Sequence, residues 1–522
     1  MLLLLLYSII CETIIFKNLH MLTEQDVAEA KNKSIIDVFI KNVKVIGKDA
    51  FKFCYSLKSI SISSSVDSIG EKAFYECSNL ENVSFENESK LSTIGKGAFM
   101  KCSNLKSIRI PSSVDSIGEA AFYECSKLES VLFENESKLT TIGNSAFKCC
   151  SNLKSIRIPS SVDSIGEAAF HSCSNLESVS FENESKLTTI GKGAFVSCYN
   201  LKSIHIPSSV DSIEEEAFHS CSKLESVLFE NESKLTTIGK GAFGLCSDLK
   251  SIQIPSSVDS IGEAVFSECE KLESVSFENE SKLTTINNLA FIKCFNLKSI
   301  QIPSSVDSIG EKAFSECEKL ENVSFEKESK LTTINNSALM DCSNLKSIQI
   351  PSSVKSIGEK AFYKCINLES VPFENESKLT NIGSYGFSRC PNLTSIKLPS
   401  QLKEISSGLF EECRKLKSIT ISSDVSKIGN LSFLNCYNLD SVRYLGTKEP
   451  YISQNAFQGC KKLKNVNVKS TYPNKTIGTF EARKLTNPVK ITCIVISGSI
   501  IIIIICIILL FAVLRRKKNS IE

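Results

Sequence analysis

The amino-acid sequence predicts an α/β-type repeat solenoid that fills most of a 522-residue chain, followed by one C-terminal transmembrane helix. Three observations lead there. A Phe-x-x-Cys segment returns eighteen times, once with Leu339 in place of Phe, and its spacing alternates between 23 and 25 residues up to Phe410. Every unit brings the same short apolar set, which no unit could bury alone and which units stacked side by side would cover. Ile491 to Leu514 then runs for 24 residues without a charge.

Size and composition set the bounds. A chain of this length exceeds what one ordinary core supports, so several domains or a repeat array are expected. Its 60 basic and 58 acidic residues nearly cancel, for a formal charge of +2, which does not suit a nucleic-acid binder. Four histidines and no tryptophan leave little material for a metal or acid–base site. No nucleophile–base set, carboxylate pair or glycine-rich phosphate loop is visible, so the sequence predicts neither an enzyme nor a cofactor.

Residues 1–12 open with a short apolar run that ends before Glu12. That length fits the h-region of a signal peptide better than a membrane span. The run lacks a preceding basic residue, so a truncated or mis-started N-terminus is the other reading. Residues 13–42 read as an N-terminal cap and residues 43–470 as the solenoid.

A pair of units, 48 residues long, is the duplicated element. In the short unit the apolar positions are Leu153, Ile156, Ile158, Val162, Ile165 and Phe170; in the long unit they are Leu176, Val179, Phe181, Leu187, Ile190 and Phe195. Ile-x-Ile and Val-x-Phe alternate as a short strand with one buried face does. Pro159 ends the first strand because it has no amide for a ladder. Gly166 and its equivalents are expected to give a permissive turn. At about 4.8 Å per parallel strand, the stack would extend on the order of 85 Å.

Residues 471–490 read as a cap and juxtamembrane stalk. The apolar stretch 491–514 would form a helix of roughly 36 Å, enough to cross a ~30 Å hydrocarbon layer. Arg515, Arg516, Lys517 and Lys518 follow at once, which by the positive-inside rule puts the tail 515–522 in the cytoplasm and the bulk of the chain outside. A single-pass, type I plasma-membrane protein is the expectation.

The segment "LKSIRIPSSVDSIGEAAFHSC" resembles the repeat L-x-x-I-x-I-P-x-x-V-x-x-I-G-x-x-A-F-x-x-C of BspA-like leucine-rich repeat surface proteins. The likeness covers roughly residues 43–470 and loosens after Phe387. It implies a curved solenoid with a parallel β-sheet on the concave side and a mostly irregular or short helical convex side. It also implies a cell-surface location and, for some members, adhesion to host matrix or other cells.

Eighteen cysteines stand three residues after the anchor, among them Cys77, Cys102, Cys125, Cys173, Cys198, Cys221 and Cys246. Catalysis needs one thiol beside a base, and zinc needs paired ligands; one identical thiol per unit supplies neither. Buried thiols acting as small hydrophobes are the favoured reading. Rung-to-rung disulfides are the alternative, since strand spacing lies within the Cα separation a bridge tolerates.

Three exposed rows remain. The residue after each unit's leucine alternates between Lys and Glu, as in Lys106, Glu129, Lys154 and Glu177, so stacking would give each charge opposite neighbours. One outward residue per strand forms a variable row: Arg109, Leu132, Arg157, Ser180, His205, Leu228, Gln253, Gln301, Gln349 and Lys397. Ligand contact is the functional reading of that row and neutral solvated drift the other. Asn87, Asn135, Asn183, Asn231, Asn279 and Asn375 each begin an N-x-S acceptor, so glycans along one edge are expected if the chain is secreted, against a polar loop that only matches the pattern. Together these features predict adhesion through an extracellular protein or glycan ligand. A receptor signalling through a partner chain and a passive coat or immune decoy are the alternatives.

Overall fold

The computed structural model describes residues 13–485 apart from Lys33. The signal-peptide reading of 1–12, the transmembrane segment 491–514 and the tail 515–522 lie outside the described residues. Among those described, no helix is long and apolar enough to cross a membrane.

Each unit is one coil of a parallel β-solenoid. Its first strand is four residues long, as in Ser155–Ile158 and Ser178–Phe181. Its second is two residues, as in Ser164–Ile165 and Thr189–Ile190. First strands pair in parallel with first strands, and second with second, so two sheets run side by side along the stack. The first sheet begins before the repeat region proper, with Thr13–Lys17 paired to Asp37–Lys41.

Its fourteen-strand run ends at Asn322–Phe325; the next two units are joined by isolated bridges such as Ile350 to Phe373. Pro372 occupies the middle of that strand and has no amide to donate. The sheet resumes at Ser395–Lys397.

The third side of each coil is a run of turns with its own ladder. The Ala168, Phe170 and Ser172 amides donate to the carbonyls of Lys192, Ala194 and Val196 in the next unit, at 2.8, 2.7 and 2.8 Å. Ala168 and Ser172 stand in the left-handed region, with φ of 52° and 60°, and the same two positions recur in unit after unit.

The expected α/β character with short helical pieces is therefore corrected. Among the described residues the helix Glu24–Asn32 is the only one, and it stands in the first coil where later coils have their turns. On the turn side amides donate alternately to the next coil and to the carbonyl three residues back in their own coil, as His171 does to Ala168 at 3.1 Å, so no i→i−4 ladder runs through it.

The interior is a set of columns. Phe147, Phe170 and Phe195 are fully buried, with ring centroids 5.3 and 5.1 Å apart and planes within 5°. The phenyl column runs from Phe51 to Phe314, breaks at Leu339, and resumes from Phe362 to Phe457. Rings set edge-on close both ends: Phe16 against Phe51 at 77° and Phe480 against Phe457 at 82°.

Gly166 does not have the left-handed backbone that its turn suggested. Its hydrogen is needed for clearance, because a Cβ there would lie 2.7 Å from the Gly143 carbonyl carbon one coil back. Where Asn287 and Asn335 replace this glycine, their side-chain amides donate to Ile261 and Ile309 of the preceding coil at 2.7 and 2.9 Å.

Candidate ligand-binding face

The face begins with the alternation of each first strand. In Ser155–Ile158, Ile156 and Ile158 point into the core and are at most 2% exposed, which leaves Arg157 outside. Arg109, Arg157, Ser180, His205, Gln253, Gln301, Gln349 and Lys397 are all exposed in this way. Leu132 and Leu228 are 52% and 54% exposed. Neighbours in the row face one another across registered strands, Leu132 beside Arg109 and Leu228 beside His205.

Several polar members are held by their own chain. Arg157 Nε lies 3.3 Å from Glu182, Gln253 donates to Glu278 at 3.4 Å, and Gln349 donates to Glu374 at 3.3 Å. These glutamates open the Glu-Asn-Glu-Ser loops, and each also accepts an amide from the preceding coil: Ser160 at 3.1 Å, Ser256 at 2.9 Å and Ser352 at 2.8 Å. The loop read from the sequence as a glycan acceptor or a polar loop is thus also a clamp on the Pro-Ser-Ser segment beneath it.

The two step lengths have different consequences. Across a 23-residue step all four residues pair, as in Ser155–Ile158 with Ser178–Phe181. Across a 25-residue step only the first one or two do, as in Ser130 with Ser155 and Ser226 with Ser251. The two inserted residues carry the long strand's end away, and a slot opens there. The slot at Leu228, Phe229, Gln253, Ser276 and Glu278 encloses about 410 Å³. The one at Phe373, Glu374, Lys397 and Thr420 encloses about 350 Å³. Phe181, expected to be an inward core residue, is only partly buried, as are its equivalents Phe229 and Phe373, which border these openings.

The Lys–Glu row spans the weak step. Lys106 reaches back to Glu81 at 2.7 Å, Lys250 to Glu225 at 2.6 Å and Lys298 to Glu273 at 2.6 Å. Hydrogen bonding to these lysines holds the Glu81 and Glu273 carboxyls below their usual range. Backbone bonds there are long, 3.4 Å from Lys106 to Glu81, against 2.8 Å from Glu129 to Lys106 across the short step.

Asn87, Asn135, Asn183, Asn231, Asn279 and Asn375 are exposed on their loops, each followed by a glutamate with left-handed φ. The thiols lie on the opposite side of the coil. Cys77, Cys102, Cys125, Cys173, Cys198, Cys221 and Cys246 are buried and unpaired, and each donates to the carbonyl of the phenylalanine one coil back, Cys77 to Phe51 at 3.0 Å and Cys173 to Phe147 at 3.2 Å. Burial raises the Cys221 thiol to about 12. Cys149, beside Cys150, is the half-exposed exception. Among the described residues, no group of three or more His, Cys, Asp and Glu side chains could hold a metal ion.

Sequence reasoning passed over one exposed cluster. Phe53 packs against Tyr55 and Tyr75 at centroid distances of 6.0 and 5.5 Å, with Lys52 5.1 Å from the Phe53 ring. The signal was present, since the two residues between Phe and Cys vary more than the strand row does.

Six overlapping copies of the BspA type leucine rich repeat region match residues 30–139, 92–225, 140–273, 236–369, 355–486 and 447–503. The chain belongs to this family. A leucine-rich repeat protein from Bacteroides ovatus is 32% identical, with 70% of this chain and 88% of that one covered and a TM-score of 0.56. The pneumococcal vaccine antigen PcpA is 22% identical over 59% of this chain and 87% of its own, with a TM-score of 0.37. A leucine-rich repeat protein from Eubacterium ventriosum is 20% identical over 75% and 93%, with a TM-score of 0.36. No curated protein matches the chain. The BspA type repeat accounts for the coil and its columns; the row on the sheet face and the turn residues between Phe and Cys distinguish this chain's units from one another.

Proposed function

We propose that the chain is a cell-surface adhesion protein, anchored by residues 491–514, which presents its solenoid outside the cell to a protein or glycan ligand. One observation carries the reading. Apart from the two turn residues between Phe and Cys, the frame is near-copied, yet the outward row changes from Arg109 and Arg157 through His205 to Gln253, Gln301 and Gln349, and all of these side chains are exposed. A rigid scaffold with a varied exposed row is where recognition can be written without cost to the core. The acidic loops and exposed asparagines suit a glycosylated edge beside that face.

The test is attachment. Cells displaying the full chain are compared with cells displaying a variant carrying Arg109→Ser, Arg157→Ser and Leu228→Ser at equal surface density. Adhesion predicts reduced attachment of the variant. Unchanged attachment would instead favour a passive coat, in which repeat number matters more than any one face. Treatment of the displayed chain with a glycosidase that leaves its mass unchanged would remove the glycan part of the proposal.

A further inference from the structure

The 25-residue steps repeat at a chemically specific distance. Core rings of successive coils lie 5.2 Å apart from Phe195 to Phe218 and 5.4 Å from Phe218 to Phe243. One 48-residue pair therefore advances about 10 Å, or two strand spacings. At successive steps of this kind the ladder stops after one or two residues beside a partly buried phenylalanine, and slots open at two of them, Phe229 and Phe373.

Two slots, three pairs apart, share their kinds of group, a phenyl ring, a carboxylate, a polar side chain from the following strand and serine or threonine hydroxyls, although the carboxylate comes from the next long unit in the first and from the phenylalanine's own unit in the second. In one these are Phe229, Glu278, Gln253 and Ser276; in the other, Phe373, Glu374, Lys397 and Thr420. The face of a phenyl ring takes the C–H face of a sugar ring, while carboxylate, amide and ammonium groups bond its hydroxyls.

We infer that the sheet face binds a linear, β-linked, uncharged polysaccharide laid along the solenoid axis, with one disaccharide per 48-residue pair. In a β-linked chain of the cellulose or chitin type, alternate sugars are flipped, so the same ring face returns every second residue. An extended disaccharide has close to the length of one pair. An α-linked chain coils away from such a track. The loop glutamates argue against an acidic polysaccharide: Glu278 and Glu374 line the two slots, the second set against Lys397, and Arg157 already faces Glu182 at 3.3 Å. The inference deepens the adhesion reading and rests on it.

The experiment titrates the full-length chain, held in mild detergent, with cellohexaose, chitohexaose, their disaccharides, dextran and hyaluronan. A hexasaccharide spans three pairs, so at least one neutral hexaose should bind on the order of 100-fold more tightly than its own disaccharide. Dextran and hyaluronan should not bind. Phe229→Leu combined with Phe277→Leu keeps apolar bulk but removes two rings, and should weaken hexaose binding about tenfold with the melting transition retained. Should that variant fail to fold, the exposed Gln253→Ala combined with Gln301→Ala takes its place and should also weaken binding.

Absence of binding by every neutral β-linked probe would overturn the inference. So would equal binding of dextran or hyaluronan, affinity independent of chain length, or unchanged binding by the folded variants. Cell attachment that depends on this face while no glycan binds would overturn it too, yet would leave adhesion standing with a protein as ligand.

Discussion

Replacing Phe170 by leucine tests whether the phenyl column, beyond its burial, holds the coils together. Phe170 has no exposed surface, and its ring lies 5.3 Å from Phe147 and 5.1 Å from Phe195 with planes 5° and 4° apart. Leucine removes both ring pairs, each contributing about 0.5–1.5 kcal/mol beyond area. Lost apolar contact and residual void add about 1 kcal/mol. The expected cost is about 2–4 kcal/mol, borne locally because each coil touches only its neighbours.

A single melting temperature would blur a local loss of this kind in an array of eighteen units. Native-state hydrogen exchange resolves it. The Phe147 and Phe170 amides, which donate to Ala169 and Ala194 at 2.7 Å, should exchange on the order of 30- to 1000-fold faster in the variant, with distant coils unchanged. The reciprocal change, Leu339→Phe, would join the two halves of the column and should slow exchange around Phe314 and Phe362. Overpacking opposes it by about 1–3 kcal/mol in general, but Ala338 is buried beside Leu339 just as Ala169 is beside Phe170, so the frame has the shape that holds a ring elsewhere. A change of less than tenfold for Phe170→Leu would show that the rings act by burial alone and would refute the stacking argument.

Three other outcomes are expected. In the native chain a maleimide should label Cys149 and leave the eighteen buried repeat thiols unreacted until denaturation; few free thiols after unfolding without reductant would reveal rung-to-rung disulfides instead. Ala168→Gly should stabilise its coil by about 0.5–1 kcal/mol, since Ala168 holds φ at 52° where Gly193 and Gly241 serve elsewhere, and Gly193→Ala should do the reverse, both read by chemical denaturation. The Lys298–Glu273 pair should contribute stability above the unfolded carboxyl value of about 4.3 and lose it as pH falls through the lower folded value, so Lys298→Met should flatten the acid limb of thermal melts in low salt and change little in high salt.

The number of units, their alternating length, the apolar set and the position of the first strand could all be read from the sequence, because each leaves a side-chain period of its own. Ile156 and Ile158 declare their strand by alternation, and the Lys–Glu row declares its register by sign. The second ribbon could not be read, since two-residue strands such as Ser164–Ile165 are too short for any period. Nor could the turn ladder, whose left-handed positions hold Ala168, Ser172 and Glu216 alike, so no residue type announces them. Gly166 looked like a turn and is a clearance site, a distinction that depends on the Gly143 backbone lying against it.

The slots show the same division at the candidate binding face. Two extra residues per long unit were plain in the sequence, but whether they would bulge outward, shift the register or part the strands depended on where the next coil's hydrogen bonds stop. Those bonds join residues more than twenty positions apart, and only the stacked structure decided that Ser226 would pair with Ser251 while Phe229 was left bordering an opening.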